Sequence, residues 1–322
     1  CSYNKINGTY ASENPWLLTE VLRDEWGFEG YVMSDWGAVN DRVEGLKAGL
    51  ELEMPASGGI NDAEIVKAVQ DGTMDEAVLN QAVERILKII FEYTDNRKEQ
   101  PLTLEKDHEI AQKVAEESIV LLKNEGAILP LRENEHVAFI GGFVKHPRYQ
   151  GGGSSHVNSF KVTSAWEALA GKEHITHAEG FSAETDVYDE KLAAEAIQIA
   201  KQADKAIIFA GLPESFESEG YDRKHMHLPE CQNKLIAEIT KVQPNTIVVL
   251  HNGAAVEMPW VNEVKGLVEA YLGGQAVGQA TVNILYGMVN PSGKLAETFP
   301  IKLEDNPSYL NFGDGDKVEY NE

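Results

Sequence analysis

The sequence of 322 residues contains few of the side chains that build covalently linked or metal-held folds. It has two cysteines, Cys1 and Cys231, and neither a disulfide framework nor a C-x-x-C metal motif can be built from them. We therefore expect two idle or buried thiols. Runs of about 18 apolar residues, which would cross a membrane as a helix, are also missing, so no membrane span is expected.

Positive charge is scarce as well. The chain has 28 Lys and Arg against 52 Asp and Glu, a net charge of −24. Such a chain repels phosphate backbones and anionic lipid heads, so neither nucleic acid nor a membrane surface is an expected partner. The charges are interspersed with apolar residues, which make up 43% of the chain, more than a disordered acidic polymer carries. A globular protein of two domains is predicted from this length.

The first ninety or so residues alternate between helix and strand patterns. Asn14 and Pro15 favour a helix start at PWLLTEVLRDEW, and a capping box of Thr73 and Glu76 favours another. Short apolar strands are predicted at 31–34 and in LELE, with a helix over VNDRVEGLKAG between them. Strands this apolar need helices on both faces, which indicates a parallel sheet. The segment is either a small open sheet or the end of a larger (β/α)8 barrel.

A second alternating series follows a polar stretch around 95–105, which we interpret as the interdomain link. One helix is predicted over HEIAQKVAEESIVLLKN. Strands are then predicted at 136–141, 206–211, 246–251 and 267–272, and helices at 190–202, 229–242 and 275–286. This pattern predicts an open α/β domain with helices on both faces of its sheet.

The stretch YVMSDWGA ends an apolar strand on an acid and an indole. Asp35 and Trp36 directly follow the strand 31–34, and parallel α/β folds place their reactive groups beyond the carboxyl ends of the strands. Two plainer interpretations stay open at this point. Asp35 could only cap the next helix, near Ala38, and Trp36 could belong to the core.

A second acidic stretch, PESFESEGYDRKHMHLPECQ, follows the strand 206–211. Four acidic residues lie within nine positions there: Glu214, Glu217, Glu219 and Asp222. Carboxyl groups crowded together tend to keep one of their number protonated, which suits an acid, although many acidic loops are merely solvated. An ionised carboxylate and a protonated carboxyl group, supplied by two domains across a cleft, would form the pair that glycoside hydrolysis needs.

Two other stretches invite different chemistry. The glycines of GGFVKHPRYQGGGSS follow the strand 136–141 and could admit a pyrophosphate, but the G-x-G-x-x-G fingerprint is not met. We therefore expect no cofactor, and a mobile loop that closes the cleft is the better interpretation, with Ser154, Ser155 and His156 at its rim. The histidines of HMH, 225–227, lack a suitably spaced third ligand, so no metal is expected.

Several motifs occur together, in order, along nearly the whole chain: CSYNKING, LLTEVLRDEWGFEGYVMSDWGA, AGLELEMP, ESIVLLKNEGAILPL, ESEGYDR and NPSGKLAETFP. With these motifs the chain resembles glycoside hydrolase family 3, the β-glucosidase-like enzymes. VMSDW combined with ESEGYDR is far more specific than either motif alone. The resemblance implies an α/β protein, the C-terminal part of a (β/α)8 (TIM-type) barrel followed by an open α/β sandwich domain.

The resemblance also implies roles for particular residues. Asp35, in SDW, corresponds to the family's nucleophile, whereas Trp36 and Tyr3, the latter in SYN, line the glycone subsite. Glu219, before the glycine of EGYDR, corresponds to the acid/base, with Glu217 as the alternative. The implied activity is that of a retaining exo-acting β-glycosidase, most simply a β-glucosidase. A β-xylosidase or other β-glycosidase, and a non-catalytic carbohydrate-binding relative, are the alternatives.

The resemblance implies the following boundaries: 1–94 for the end of the barrel, 95–118 for the linker and first helix, 119–300 for the sandwich, and 301–322 for a linker. Family members hold the sugar with an Asp, an Arg and a Lys-His pair on earlier barrel strands, and many end in a fibronectin-like domain. We therefore expect the missing barrel segment and such a domain as partners, with a β-glucoside or oligosaccharide as substrate. A homo-oligomer stays open.

Overall fold

The computed structural model describes residues 1–313, 315 and 317–320. The chain divides into two compact units, Cys1–Pro101 and Leu102–Glu322. Within the described residues, no helix combines the length and the apolar character that crossing a bilayer requires.

The first unit is mainly helical. Its strands β1 (Lys5–Ile6) and β2 (Thr9–Tyr10) form an antiparallel hairpin. Its helices are a 3-10 turn at Ala11–Glu13, a π-helix at Trp16–Glu25, α1 (Arg42–Ala48), α2 (Ile60–Gln70) and α3 (Glu76–Asn96). The predicted helix start is confirmed, because the side chain of Asn14 accepts a hydrogen bond from the N–H of Leu17 (3.2 Å).

The helix α3 begins differently from the prediction. Its cap is Asp75, whose side chain accepts a hydrogen bond from the N–H of Ala77 (2.9 Å). Thr73 instead donates its hydroxyl to the carbonyl of Ala68 (3.2 Å), at the end of the preceding helix. The predicted capping box of Thr73 and Glu76 is therefore wrong, since an aspartate directly before the helix reaches the unpaired N–H groups better.

The segments 31–34 and 50–54 lie side by side but form less than a strand pair. The N–H of Leu52 donates to the carbonyl of Val32 (3.1 Å), and the N–H of Ser34 donates to the carbonyl of Leu52 (2.9 Å). The result is a single parallel bridge between Met33 and Leu52. The two predicted strands are thus reduced to one bridge. On the other side of the segment 31–34, the amino group of Cys1 donates to the carbonyl of Met33 (2.7 Å).

A buried carboxylate fixes this pair of segments. The side chain of Glu51 is 1% exposed. It accepts hydrogen bonds from Arg23 Nη2 (2.8 and 2.9 Å), from Arg85 Nη1 (2.7 Å) and from the N–H of Val32 (2.7 Å). Burial lowers the pKa of Arg23, and the charge of Glu51 opposes that shift. The entry into the segment 31–34 therefore depends on a charge cluster inside the first unit.

We expect Glu51→Ala to destabilise the protein by about 3–5 kcal/mol, because it leaves a buried guanidinium without its partner. Urea unfolding of the full-length protein would measure the change. Glu29→Ala is the matched control, since Glu29 is an exposed carboxylate that pairs with the ammonium group of Lys88, and its unfolding midpoint should not move. An unchanged midpoint in Glu51→Ala would contradict the structural role of the cluster.

The second unit is built on a six-stranded sheet with the strand order β3-β8-β7-β6-β4-β5. The strands are β3 (Val120–Asn124), β4 (Val137–Ile140), β5 (Ile175–Ala178), β6 (Lys205–Gly211), β7 (Thr246–His251) and β8 (Gly266–Glu269). All neighbours run parallel except β3, which is antiparallel to β8. The four predicted strands are confirmed, although the last ends at Glu269 rather than at 272.

Two described strands of the second unit, β3 and β5, were not predicted. The helix expected over HEIAQKVAEESIVLLKN is α4 (Leu104–Ser118), and the chain beyond it turns into β3. The pattern of the apolar run Ile119–Leu122 is compatible with a helix or a strand. It forms a strand because it pairs with β8. The edge strand β5 is half-buried and polar in part, so its pattern gave no signal.

Helices cover both faces of this sheet. Besides α4 they are α5 (Ala165–Ala168), α6 (Glu190–Gln202), α7 (Glu230–Val242) and α8 (Val277–Leu285), with 3-10 turns at Glu125–Ala127, Gly142–Val144, Gly153–Ser155 and Leu303–Asp305. Phe209 packs with residues of α4, α5 and α8, whereas its neighbour Ile208 packs with residues of α6 and α7. Alternate side chains thus enter opposite cores, which is why the middle residues of the central strands are apolar.

The order of the strands creates a crevice at the carboxyl ends of β4 and β6. The chain leaves β4 for β5 on one side and later returns to β6 on the other side of β4. The connections that follow β4 and β6 therefore start at neighbouring strand ends and continue toward opposite sides of the sheet. Open α/β sheets bind their ligands at such a switch point, beyond the carboxyl ends of the strands. These loops are the glycine-rich and acidic stretches noted in the sequence.

Candidate functional site

Asp35 lies at the end of the segment 31–34 in the first unit, with an exposed side chain. Its Oδ1 accepts a hydrogen bond from the N–H of Trp36 (2.7 Å). The helix α1 is capped by Asp41, whose side chain accepts a hydrogen bond from the N–H of Glu44 (2.9 Å). The interpretation of Asp35 as a helix cap is therefore wrong.

Tyr3 and Trp36 accompany Asp35. The hydroxyl of Tyr3 donates to the carbonyl of Trp36 (2.9 Å), and the N–H of Asp35 donates to the carbonyl of Cys1 (3.0 Å). Both aromatic side chains belong to residues that are 55% exposed, so Trp36 is not a core residue. The first unit thus brings together three of the residues singled out from the sequence: an exposed carboxylate and two exposed aromatic rings, whose flat faces can pack against the apolar side of a ligand.

Glu219 lies in the loop after β6 and contacts the loop after β4. Its Oε2 accepts a hydrogen bond from the N–H of Ser154 (2.6 Å), and the hydroxyl of Ser154 donates to the same oxygen. The hydroxyl of Ser155 turns back into its own loop, donating to the carbonyl of Gly152 (3.3 Å). His156 pairs with Glu214 (2.9 Å). The two loops at the switch point are therefore joined by side chains.

Glycines allow this close approach. Gly153 has a φ of +80°, a conformation that favours glycine, and a Cβ there would lie 2.7 Å from the Cβ of Glu219. A Cβ on Gly152 would collide with the hydroxyl of Ser218. The glycine-rich motif GGGSS is thus shaped to receive the loop that carries Glu219.

Glu217 has a different set of partners. Its Oε2 accepts hydrogen bonds from Arg148 Nη1 (3.0 Å) and from the N–H of Gly253 (2.8 Å), and its Oε1 accepts one from the N–H of Ala254 (2.8 Å). Each donor presents a hydrogen to the carboxylate, so Glu217 acts as an acceptor that links three loops. Sequence reasoning missed Arg148; its only signal was a single arginine in a loop after a strand.

Comparison with known proteins identifies the family. The sequence model of the glycosyl hydrolase family 3 C-terminal domain matches residues 119–322, and that of the family 3 N terminal domain matches residues 1–89. The chain belongs to glycosyl hydrolase family 3. This confirms the predicted resemblance and the α/β fold class, the end of a (β/α)8 barrel followed by an α/β sandwich.

Relatives of this family 3 chain are longer than the chain itself. It is 56% identical to thermostable beta-glucosidase B of Acetivibrio thermocellus, with 100% of this chain and 43% of the relative covered. It is 42% identical to an exo-alpha-(1->6)-L-arabinopyranosidase of Bifidobacterium longum, with 100% and 44% covered. The crystal structure of a Bifidobacterium adolescentis GH3 beta-glucosidase matches it with a TM-score of 0.92 at 43% identity, over 99% of this chain and 48% of that one. The chain therefore spans less than half the length of these relatives.

A buried polar cluster lies behind Glu217 in the family 3 sandwich. The side chain of Asn252 donates hydrogen bonds to the carbonyl of Ala254 (3.0 Å) and to Glu269 Oε2 (3.1 Å). Glu269 Oε1 accepts a further hydrogen bond from the N–H of Tyr271 (2.8 Å). Burial raises the pKa of Glu269 to about 8. The cluster thus fixes the peptide groups that hold Glu217.

We expect Glu269 to make the stability of the protein depend on pH. Its pKa rises from an ordinary 4.5 to about 8 on folding, so between these values the folded state holds a proton that the unfolded state has lost. The free energy of unfolding should therefore fall as the pH rises, by up to about 1.4 kcal/mol per pH unit. Urea unfolding of the full-length protein at about pH 5, 6.5 and 8 would measure this slope.

Glu269→Gln should flatten the slope, because its amide has no proton to lose. Glu304→Gln, a change at an exposed carboxyl group, is the control and should keep the slope of the unchanged protein. Equal slopes in all three proteins would show that Glu269 ionises in the folded state as readily as in the unfolded one.

Proposed function

We propose that the full-length protein is a retaining exo-acting β-glycosidase that removes terminal, non-reducing β-D-glucosyl residues. The observation that carries the proposal is the placement of Glu219 at the switch point, held by Ser154, in a chain 56% identical to a relative named as a beta-glucosidase. The exposed carboxylate of Asp35 beside Tyr3 and Trp36 supports the same conclusion.

In the proposed mechanism Asp35 is the nucleophile and Glu219 is the acid/base. A carboxylate oxygen of Asp35 bonds to the anomeric carbon while the glycosidic bond breaks and Glu219 gives its proton to the departing oxygen. Water then attacks the anomeric carbon, loses a proton to Glu219 and releases Asp35, so the configuration is retained.

The contacts of the two glutamates support this choice of acid. Glu217 accepts hydrogen bonds from a guanidinium and two peptide groups. These donors favour the carboxylate form, which has no proton to give to a leaving group. Glu219 is instead placed at the crevice on a hydroxyl and a peptide N–H. We further propose that Trp36 and Tyr3 line the glycone subsite and that Ser154 and Ser155 stand at its rim.

A 2-deoxy-2-fluoroglucoside with a good leaving group should label Asp35 in the full-length protein. The fluorine slows both steps, and the leaving group speeds the first, so the covalent intermediate accumulates. Peptide mapping by mass spectrometry would locate the adduct. Asp35→Asn should abolish labelling, whereas Asp41→Asn, at the cap of α1, should keep it. An adduct on another residue would remove Asp35 as the nucleophile.

Glu219→Ala should lower kcat/KM for an alkyl β-glucoside by about 10²–10⁴-fold, because a poor leaving group needs the proton. A 2,4-dinitrophenyl β-glucoside needs no proton, so its kcat/KM should stay nearly unchanged. Steady-state kinetics on both substrates would test this. Equal losses on the two substrates would mean that Glu219 is not the acid.

The sugar specificity is a separate part of the proposal. The 42% identity to an arabinopyranosidase favours an α-L-arabinopyranoside as the second candidate substrate. Aryl β-glucoside, β-xyloside, β-galactoside and α-L-arabinopyranoside can be compared by kcat/KM with the full-length protein. We expect the β-glucoside to rank first. Sugar binding without hydrolysis of any substrate would favour the non-catalytic alternative.

A further inference from the structure

A largely buried ion pair, Arg148 with Glu217, joins the same two loops that meet at Ser154 and Glu219. Arg148, in the loop after β4, is 8% exposed. Its Nη1 donates to Glu217 Oε2 (3.0 Å) and to the carbonyl of Leu212, and its Nη2 donates to the carbonyl of Glu217 (2.7 Å). One guanidinium thus holds the start of the acidic loop at both the backbone and the side chain.

A third loop, which follows β7, also contacts Glu217. The N–H groups of Gly253 and Ala254, after β7, donate to the carboxylate of Glu217. A Cβ on Gly253 would lie 3.2 Å from Glu217 Cδ, so the peptide approaches the carboxylate closely. Glu217 is therefore fixed from two sides, by a charge from one loop and by peptide dipoles from another.

Glu217 stands two residues before Glu219, and Arg148 stands six residues before Ser154. Both partners of the Ser154–Glu219 contact therefore follow a member of the buried pair. We propose that Arg148 is a positioning residue: its pair with Glu217 sets where the carboxyl group of Glu219 stands, and thereby how efficiently that group transfers a proton. The inference rests on the proposed function, in which Glu219 is the acid/base.

The energetics of the pair favour positioning over simple stabilisation. Buried ion pairs often contribute little to stability, because desolvation offsets their attraction. Arg148 Nε is buried and has no hydrogen-bond partner among the described residues, which adds to that cost. The pair can affect the reaction rate more than the stability, since a displacement of about 1 Å in a reacting group can lower the rate about 100-fold.

The geometry also requires arginine. The planar fork of Arg148 reaches two carbonyls and one carboxylate at fixed angles, whereas a lysine ammonium is a single point charge on a flexible stem. Arg148→Lys therefore keeps the charge beside Glu217 but releases part of the loop. The matched control is Lys205→Met, because Lys205 forms a largely buried pair with Glu135 (2.9 Å) at the start of β6, the opposite end of the same strand.

The test measures kcat/KM of the full-length protein on an alkyl β-glucoside and on a 2,4-dinitrophenyl β-glucoside. The concentration of folded active sites is counted by trapping with a 2-fluoro glucoside. Arg148→Lys should lower the alkyl value by about 30–300-fold and leave the dinitrophenyl value within about threefold. Glu217→Gln, which preserves side-chain size, should show the same pattern. Azide should raise turnover of the dinitrophenyl substrate in both variants and yield a glucosyl azide, because an anion needs no general base.

A double variant separates positioning from general damage. If Arg148 acts through Glu219, then Arg148→Lys should change neither substrate's kcat/KM further in a Glu219→Ala background. Lys205→Met should lower the melting temperature without changing the ratio of the two substrates. Equal losses on both substrates in Arg148→Lys and Glu217→Gln, or a further loss in the double variant, would overturn the inference.

The proposed function fails by a different result. If the unchanged protein hydrolyses no glycoside, or if Glu219→Ala loses both substrates equally, then the assignment of the acid/base is wrong. If the unchanged protein and Glu219→Ala behave as expected, and only Arg148→Lys and Glu217→Gln do not, then the positioning role alone is wrong.

Discussion

The carboxylate of Glu217 is the constraint on which the crevice of the second unit depends. Three loops meet at the carboxyl end of the parallel strands, beyond the hydrogen bonds of the sheet's own ladder. Glu217 gathers a guanidinium from one loop and two peptide N–H groups from another. In surroundings of low polarity such hydrogen bonds are strong and costly to leave unmade. The crevice therefore keeps its shape because one charge has several partners.

The first unit uses the same physical device. Glu51 is buried, accepts hydrogen bonds from two arginines and from the backbone of the segment 31–34, and so fixes the chain that leads to Asp35. In each unit an exposed carboxylate, Asp35 or Glu219, directly follows a segment that a more buried carboxylate, Glu51 or Glu217, holds by hydrogen bonds. In both units the more buried carboxylate bears the larger desolvation cost and is offset by several hydrogen bonds.

Much of the fold could be predicted because its signals are local. The central strands β4, β6 and β7 are mainly apolar on both faces, and each such run can be recognised from a few consecutive residues of the sequence. Other features depend on distant partners. The segment 31–34 has a strand pattern but only one bridge, since pairing needs a neighbour, and β3 forms where β8 lies beside it.

The sequence by itself determined the fold class, the family motifs and the position of two acidic groups beyond strand ends. These follow from side-chain polarity and from the order of residues along the chain. The tertiary structure alone decided that Glu217 and Glu219, two positions apart in one acidic loop, have different hydrogen-bond partners. Arg148 lies 69 residues from Glu217, and only the folded sheet, by placing β4 beside β6, brings the guanidinium to one carboxylate and the hydroxyl of Ser154 to the other.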